Sequence, residues 1–97
     1  MKVLKLMADY ECFPIWYSSD EGLENIDPEL LPISTELKRK LREWSDKYDN
    51  TLNIDDPMLS GFRTEDEFYD FKREGEKLKE ELSFELEKMY SIVYFQG

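Results

Sequence analysis

A long amphipathic helix near the C-terminus is the feature that most constrains how this chain can fold. Between Phe68 and Met89, seven positions recur at spacings of three or four residues, which predicts one continuous stripe on a helix of about 24 residues. Thr64 and Glu67 precede it with the T-x-x-E spacing of a capping box. Gly75 falls on the stripe, where the missing side chain would let another element approach closely. The stripe consists of Phe68, Phe71, Gly75, Leu78, Leu82, Leu86 and Met89. Such a helix cannot bury its apolar face alone, so the rest of the chain must supply a second layer.

A second amphipathic helix is predicted between Ser34 and Asp49. Ser34 is a suitable N-cap, and Glu36 in the first turn suits the positive end of the helix dipole. Four apolar residues then recur at spacings of four, three and four and share one face: Leu37, Leu41, Trp44 and Tyr48.

Three segments have strand character. Residues 3–10 alternate in polarity, and residues 91–95 are β-branched and aromatic. Residues 13–17 are apolar, but Pro14 cannot donate to a sheet ladder, which predicts an extra edge strand at most. The remaining segments, residues 18–32 and 50–61, are predicted to be connections, the first with a short turn at Asp27-Pro28-Glu29.

These elements predict an α+β fold in which two helices pack on one face of a small antiparallel sheet of two or three strands, in β-α-α-β order. The 97 residues suffice for one compact core, so residues 1–97 are predicted to form a single domain.

The charge is strongly negative and unevenly spread. Thirteen basic against 23 acidic residues give a net charge of −10. Residues 1–33 carry seven acids and two bases, and residues 51–71 carry six acids and one base, whereas the remaining two segments are nearly balanced. Such a field repels nucleic acid and anionic lipid and attracts basic surfaces. Together with the lack of a signal peptide or a membrane-spanning run, it predicts a cytoplasmic protein that binds neither nucleic acid nor membrane.

The composition offers little for catalysis. Histidine is absent and Cys12 is the only cysteine, which removes His-dependent triads, His/Cys zinc sites and intrachain disulfides. The neighbours of Cys12 are acidic or apolar, which favours a small buried hydrophobe over a nucleophile. Alternating polar residues from Asp49 resemble the start of a calcium loop, but Ile54 and Ser60 occupy the positions that need Gly and Glu. We therefore expect no enzymatic activity, no metal and no cofactor.

Aromatic residues beside acids predict a surface that binds a basic protein, because rings supply desolvated contact and carboxylates steer association. The candidate partner-binding residues are Trp16, Tyr17, Asp20, Glu21, Glu24, Asp55 and Asp56. The alternative is that Trp16 and Tyr10 fill the core and the acids are merely solvated. A second acidic group consists of Asp55, Asp56, Glu65, Asp66, Glu67 and Asp70. Acids stabilise a helix N-terminus regardless of partners, which is an alternative explanation for Glu65 to Glu67 but not for Asp55 and Asp56.

Several segments resemble a group of small acidic bacterial proteins, similar in size and charge to the immunity proteins that bacteria pair with polymorphic or contact-dependent toxins. The resemblance is carried by residues 8–16, by Leu31-Pro32-Ile33-Ser34 and the helix that follows, by residues 52–57, and by residues 71–75. It implies a binding role rather than a catalytic one.

The sequence hypothesis is therefore an immunity protein that neutralises a basic toxin such as a nuclease. The alternative is an adaptor or homodimeric regulator that pairs through residues 68–89.

Overall fold

A computed structural model describes residues 2–51 and 61–95 of the chain. Within these residues the elements are β1 (Lys2–Leu6), β2 (Ile15–Ser19), β3 (Gly22–Ile26), a 3-10 turn (Pro28–Leu30), α1 (Thr35–Asp49), α2 (Glu65–Leu86) and β4 (Tyr90–Tyr94). The predicted α+β class is confirmed. The predicted β-α-α-β order is wrong, because three strands precede the helices.

The strands form one mixed sheet in the order β3-β2-β1-β4. β1 pairs antiparallel with β2, and β2 pairs antiparallel with β3, but β4 lies parallel to β1. The prediction of an antiparallel sheet of two or three strands is therefore wrong in both strand number and direction. The antiparallel helices explain why β4 runs parallel to β1. α1 carries the chain along the sheet, and α2 returns it to the end where β1 begins.

β2 is an interior strand, whereas the sequence predicted an edge strand at residues 13–17. The strand begins at Ile15, so Pro14 lies before it and costs no ladder hydrogen bond. The carbonyl of Pro14 instead accepts from the backbone N–H of Met7 at 3.0 Å. β1 is shorter than predicted, because the chain leaves the sheet after Leu6 and turns back through Glu11, which has φ +59°.

β3 lies in the segment that was predicted to be a loop. Its sequence, Gly-Leu-Glu-Asn-Ile, shows no alternation of apolar and polar residues. The reason is that β3 is an edge strand and is exposed over most of its length. The detectable signal is the two-residue turn Asp20-Glu21 followed by Gly22, whose φ of +122° favours glycine. The predicted turn at Asp27-Pro28-Glu29 is confirmed as a 3-10 turn in which the Asp27 carboxylate accepts from the Glu29 N–H at 2.9 Å.

Both helices lie on one face of the sheet, as predicted, and the core lies between the two layers. The buried apolar side chains come from the strands, both helices and the segment before α1. They are Leu4, Leu6, Ile15, Leu31, Ile33, Leu37, Leu41, Trp44, Phe71, Leu78, Leu82, Leu86 and Ile92.

The start of α1 is bound to the end of α2. Ser34 caps α1 as predicted, since its hydroxyl accepts from the Leu37 N–H at 3.1 Å. The Glu85 carboxylate accepts from the backbone N–H of Ser34 at 2.6 Å and from its hydroxyl at 3.0 Å. These contacts fix the two helices antiparallel to each other.

The apolar stripe of α2 is buried against its own chain. Phe71, Gly75, Leu78, Leu82 and Leu86 are all buried, and only the ends of the predicted stripe, Phe68 and Met89, are exposed. The face that the adaptor alternative needs for pairing with another helix is therefore already occupied within the chain.

The N-cap of α2 gives a first stability prediction. The Thr64 hydroxyl accepts from the Glu67 N–H at 3.2 Å, as the capping box predicts, although the Glu67 carboxylate accepts from Arg63 N rather than from Thr64 N. We expect Thr64→Ala to lower the free energy of unfolding by about 1 kcal/mol, measured by urea denaturation. Thr64→Ser retains the acceptor and should stay near the native value; equal losses in both variants would contradict the capping role.

Candidate partner-binding surface

The two aromatic candidates lie on opposite faces of the sheet. Adjacent residues of a strand point to opposite sides, so Trp16 and Tyr17 cannot contact the same surface of a partner. Tyr17 pairs with Leu4 on the face that the helices cover and packs against the core. The Lys2 ammonium lies 5.9 Å from the Tyr17 ring centroid. Tyr17 is therefore accounted for by packing within the chain.

Trp16 lies on the face that points away from the helices. Its cross-strand neighbours there are Lys5 on β1 and Asn25 on β3. The indole Nε1 donates to the carbonyl of Met7 at 3.0 Å, which fixes the ring against the end of β1. Trp16 is half-buried and outside the core cluster, so the alternative that it fills the core does not apply.

The acidic candidates Asp20, Glu21 and Glu24 lie together in the β2–β3 hairpin. All three are exposed, the first two in the turn and Glu24 on the edge strand, opposite Tyr17. Within residues 2–51 and 61–95, none of them makes an ion pair. The hairpin therefore presents uncompensated negative charge at one end of the sheet.

The helices differ sharply from the hairpin in how their charges are paired. In the part of the chain that the structure describes, every ion pair involves a base on α1 or α2. The pairs are Lys38–Glu29, Arg39–Glu36, Arg39–Glu43, Lys40–Glu36, Lys40–Glu81, Lys47–Glu74 and Arg73–Asp70. These pairs offset acids and bases locally on the helices, although α2 keeps an excess of acid, with nine acids against four bases.

Asp55 and Asp56 lie outside the described residues. The residues that flank this segment, Thr51 and Gly61, are joined by a hydrogen bond from Gly61 N to Thr51 O at 2.9 Å. They lie at the end of the sheet where β1 finishes, opposite the end that carries the β2–β3 turn.

The acids at the start of α2 have a structural explanation. Glu65, Asp66 and Glu67 occupy the first turn, where they interact favourably with the helix dipole. Asp70 pairs with Arg73 one turn later.

Cys12 lies close to carboxylates rather than to a base. Burial raises the pKa of its thiol, and the nearby Asp9, Asp49 and Glu11 carboxylates raise it further. The Asp49 carboxylate accepts from the backbone N–H of Glu11 at 3.0 Å and so holds this loop against α1. The thiol therefore stays protonated at neutral pH, which fits the prediction that Cys12 is not a nucleophile.

Sequence reasoning missed an aromatic cleft of about 700 Å³ at the end of the sheet where β1 and β4 finish. Its lining includes Tyr10, Tyr48, Phe62, Phe68, Phe71 and Tyr94. Tyr10 and Tyr48 have ring centroids 4.5 Å apart, and Phe62 lies 5.0 Å from Phe71. The rings come from five separate segments, so no single run of sequence indicates the cleft.

The phenols of Tyr48 and Tyr94 in this cleft remain neutral at physiological pH. Burial, with a smaller contribution from Glu76, raises the pKa of Tyr94 to about 12. Burial followed by the influence of Tyr10 and Asp9 raises the pKa of Tyr48. Groups of this kind are poor proton acceptors or donors near pH 7. The cleft is an apolar recess whose rings pack chiefly on one another.

Two further properties bear on the function. Among the described residues, no group of three or more acidic or cysteine side chains is arranged to hold a metal ion. Neither α1 nor α2, the helices of the described part, is long and apolar enough to cross a membrane.

Comparison with known proteins places these features in a family. No curated protein matches the sequence. A family model described as "Serratia CdiI immunity protein-like" matches residues 2–97, nearly the whole chain, which confirms the resemblance to the immunity proteins of toxin systems. With its two-layer α+β fold and a hairpin of uncompensated acids, the chain belongs to the Serratia CdiI immunity protein-like family.

Proposed function

We propose that this chain is an immunity protein that neutralises a basic toxin, such as a nuclease, by binding to it. The observation that carries the proposal is the family match over residues 2–97. The partner is the toxin encoded beside the gene for this chain, and binding takes place in the cytoplasm.

The charge distribution supports a basic partner. The chain carries a net charge of −10, and the described ion pairs offset charge on the helical layer while leaving the hairpin acids unpaired. The two lysines of the first 33 residues, Lys2 and Lys5, lie over the rings of Tyr17 and Phe95. Because residues 1–33 carry seven acids against these two bases, the strands and their turns attract positive charge.

Neutralisation of this kind needs no chemical step. A nuclease must attract phosphate, so the entrance to its active site is positive, and carboxylates can occupy the positions where phosphates would bind. The chain acts by excluding substrate rather than by altering the toxin. This mechanism requires neither a catalytic residue nor a cofactor, in keeping with the protonated thiol of Cys12 and phenol of Tyr94.

The test is the salt dependence of binding to the toxin domain encoded by the neighbouring gene. We expect the association rate constant to fall at least about tenfold between about 50 mM and about 500 mM NaCl, because screening weakens steering between opposite charges. Stopped-flow or surface plasmon resonance measures both rate constants.

A pair of charge-matched variants locates the steering charge. Asp20→Asn/Glu21→Gln should lower the association rate constant about threefold at low salt and have little effect at high salt. Asp46→Asn/Glu80→Gln removes the same charge from exposed positions on the helices and should change the rate less. A toxin that fails to bind the native chain would refute the proposed function. If the toxin binds at a rate that does not depend on salt, only the claim that the partner is basic is refuted.

A further inference from the structure

The face of the sheet that points away from the helices carries several apolar side chains between polar ones, and in the described part of the chain no element covers it. Cross-strand pairing places Asn25, Trp16, Lys5 and Val93 in one row and Leu23, Ser18, Val3 and Ser91 in the next. Phe95 extends the first row, since its ring lies over Lys5, with Nζ 4.4 Å from the centroid. We call the apolar members of this surface the outer sheet face: Val3, Trp16, Leu23, Val93 and Phe95.

The composition of the outer sheet face is unusual for a surface in contact with water. Sheets covered on one side normally alternate between apolar residues inside and polar residues outside. Here Leu23 is 50% exposed, Val93 is 44% exposed and Phe95 is 48% exposed, and all three adjoin the half-buried Trp16 or its neighbours. Exposed apolar residues grouped around a tryptophan on one face of a small protein mark a candidate interaction surface.

Two of the polar side chains on this face, Lys5 and Asn25, are already used within the chain. Lys5, the only charged residue in its two rows, lies against the Phe95 ring. The Asn25 side chain accepts from Phe13 N at 2.9 Å and donates to Phe13 O at 2.7 Å and Ile15 O at 3.2 Å. Asn25 therefore holds the β1–β2 loop against β3 and keeps the surroundings of Trp16 in place.

Acids lie at both ends of the strands that form the outer sheet face. Asp20 and Glu21 follow closely after Ser18 of the second row, and Asp9 and Glu11 lie in the loop at the opposite end. In the described chain none of these four carboxylates makes an ion pair. An apolar centre that contains a tryptophan, with an acidic rim, complements a partner with an apolar centre and a basic rim.

We infer that the toxin docks on the outer sheet face, with Trp16 as its central anchor and Asp20 and Glu21 on the rim. This inference rests on the proposed function and identifies the surface that performs it. It assigns Tyr17, on the other face, to the core, and it assigns the helices no direct part in binding.

The test introduces a long charged side chain at exposed positions of this face. Ser18→Arg and Leu23→Arg place a positive charge in the path of a basic partner, and neither side chain belongs to the core, so the fold should tolerate the changes. We expect each to weaken toxin binding at least about 30-fold, which corresponds to about 2 kcal/mol. Phe84→Arg is the matched control, because Phe84 is 78% exposed on α2 and the substitution should change the dissociation constant less than about threefold.

A second measurement leaves the surface unaltered. The chain holds two tryptophans, one buried in the core and one on the outer sheet face. In protein labelled with 5-fluorotryptophan, the ¹⁹F resonance of Trp16 should shift when unlabelled toxin is added, while that of Trp44 should stay in place. Trp16→Phe assigns the two resonances.

The outcomes separate the inference from the proposed function. If the toxin binds the native chain but Phe84→Arg weakens binding while Ser18→Arg and Leu23→Arg do not, the docking surface is on the helices and the inference is overturned. An unchanged Trp16 resonance in the bound complex would also overturn it. The inference would also be overturned if Ser18→Arg and Leu23→Arg dissociated a dimer of the chain without weakening toxin binding, because the outer sheet face would then join two copies of the chain. A toxin that does not bind the native chain refutes the proposed function as well.

Discussion

Replacing Trp44 with alanine should lower the free energy of unfolding by about 3–5 kcal/mol, a large share of the stability of a domain of this size. Trp44 is the largest fully buried side chain, at 1% exposure. Its ring stacks on Phe71 with centroids 4.5 Å apart and meets the edge of Tyr94 at 6.0 Å. The indole Nε1 also donates to the Phe71 carbonyl at 2.9 Å inside the core. The residue thus joins α1, α2 and β4, and its removal leaves a cavity bordered by all three.

Urea denaturation followed by circular dichroism measures this loss. Trp44→Phe retains a stacking ring and should lose less than half as much, since it gives up the hydrogen bond and part of the volume. Trp16→Ala removes the same type of side chain from a half-buried position on the outer sheet face. It should also lower the free energy of unfolding by less than Trp44→Ala does. A loss below about 1 kcal/mol for Trp44→Ala would contradict the packing described here.

Replacing Gly75 with alanine should destabilise the protein by about 2 kcal/mol, although alanine is the better helix former. A Cβ atom at this position would clash with the phenol end of the Tyr94 ring and would lie 2.9 Å from Cζ2 of Trp44. The contact with Tyr94 involves the far end of its side chain, but Trp44 is fully buried and held by Phe71 through both its ring and its carbonyl. Overpacking therefore outweighs the gain of about 1 kcal/mol in helix propensity.

A double-mutant cycle identifies the cause. Tyr94→Val removes the ring, so Gly75→Ala should cost less in that background than in the native chain. Glu80→Ala, at an exposed position of the same helix, should leave the stability within about 0.5 kcal/mol of the native value. If Gly75→Ala stabilised the protein, the close approach of Tyr94 and α2 would be wrong.

The helices were predictable because their signals are local. The caps at Ser34 and Thr64 depend on residues within four positions, and the stripe from Phe71 to Leu86 depends only on a repeat of three or four. The close approach at Gly75 also follows from its place on that stripe, and the structure confirms it by bringing Tyr94 and Trp44 there.

The sheet was predicted less well because its pairing is not local. β3 has too few buried residues to show a period of two, and its strand character follows from pairing with β2 across the Asp20-Glu21 turn. The parallel pairing of β4 with β1 joins the two ends of the chain, and its direction depends on how α1 and α2 cross the sheet.

For the candidate partner-binding surface, the sequence likewise predicted the composition but not the geometry. The sequence predicted the excess of acid and the presence of aromatic anchors, because both are properties of composition. It could not separate Trp16 from Tyr17, which lie on opposite faces once β2 forms.

The sequence by itself determined the α+β class, the two capped helices, the negative charge and the kinship with immunity proteins, because each depends on residue identity or short-range spacing. Only the tertiary structure decided the four-stranded mixed sheet, the burial of the α2 stripe against its own chain rather than against a second copy, and which residues form the outer sheet face that no described element covers. These depend on which strands pair and which side the helices cover, and that choice reflects the free energy of burying apolar side chains from distant parts of the chain in one core.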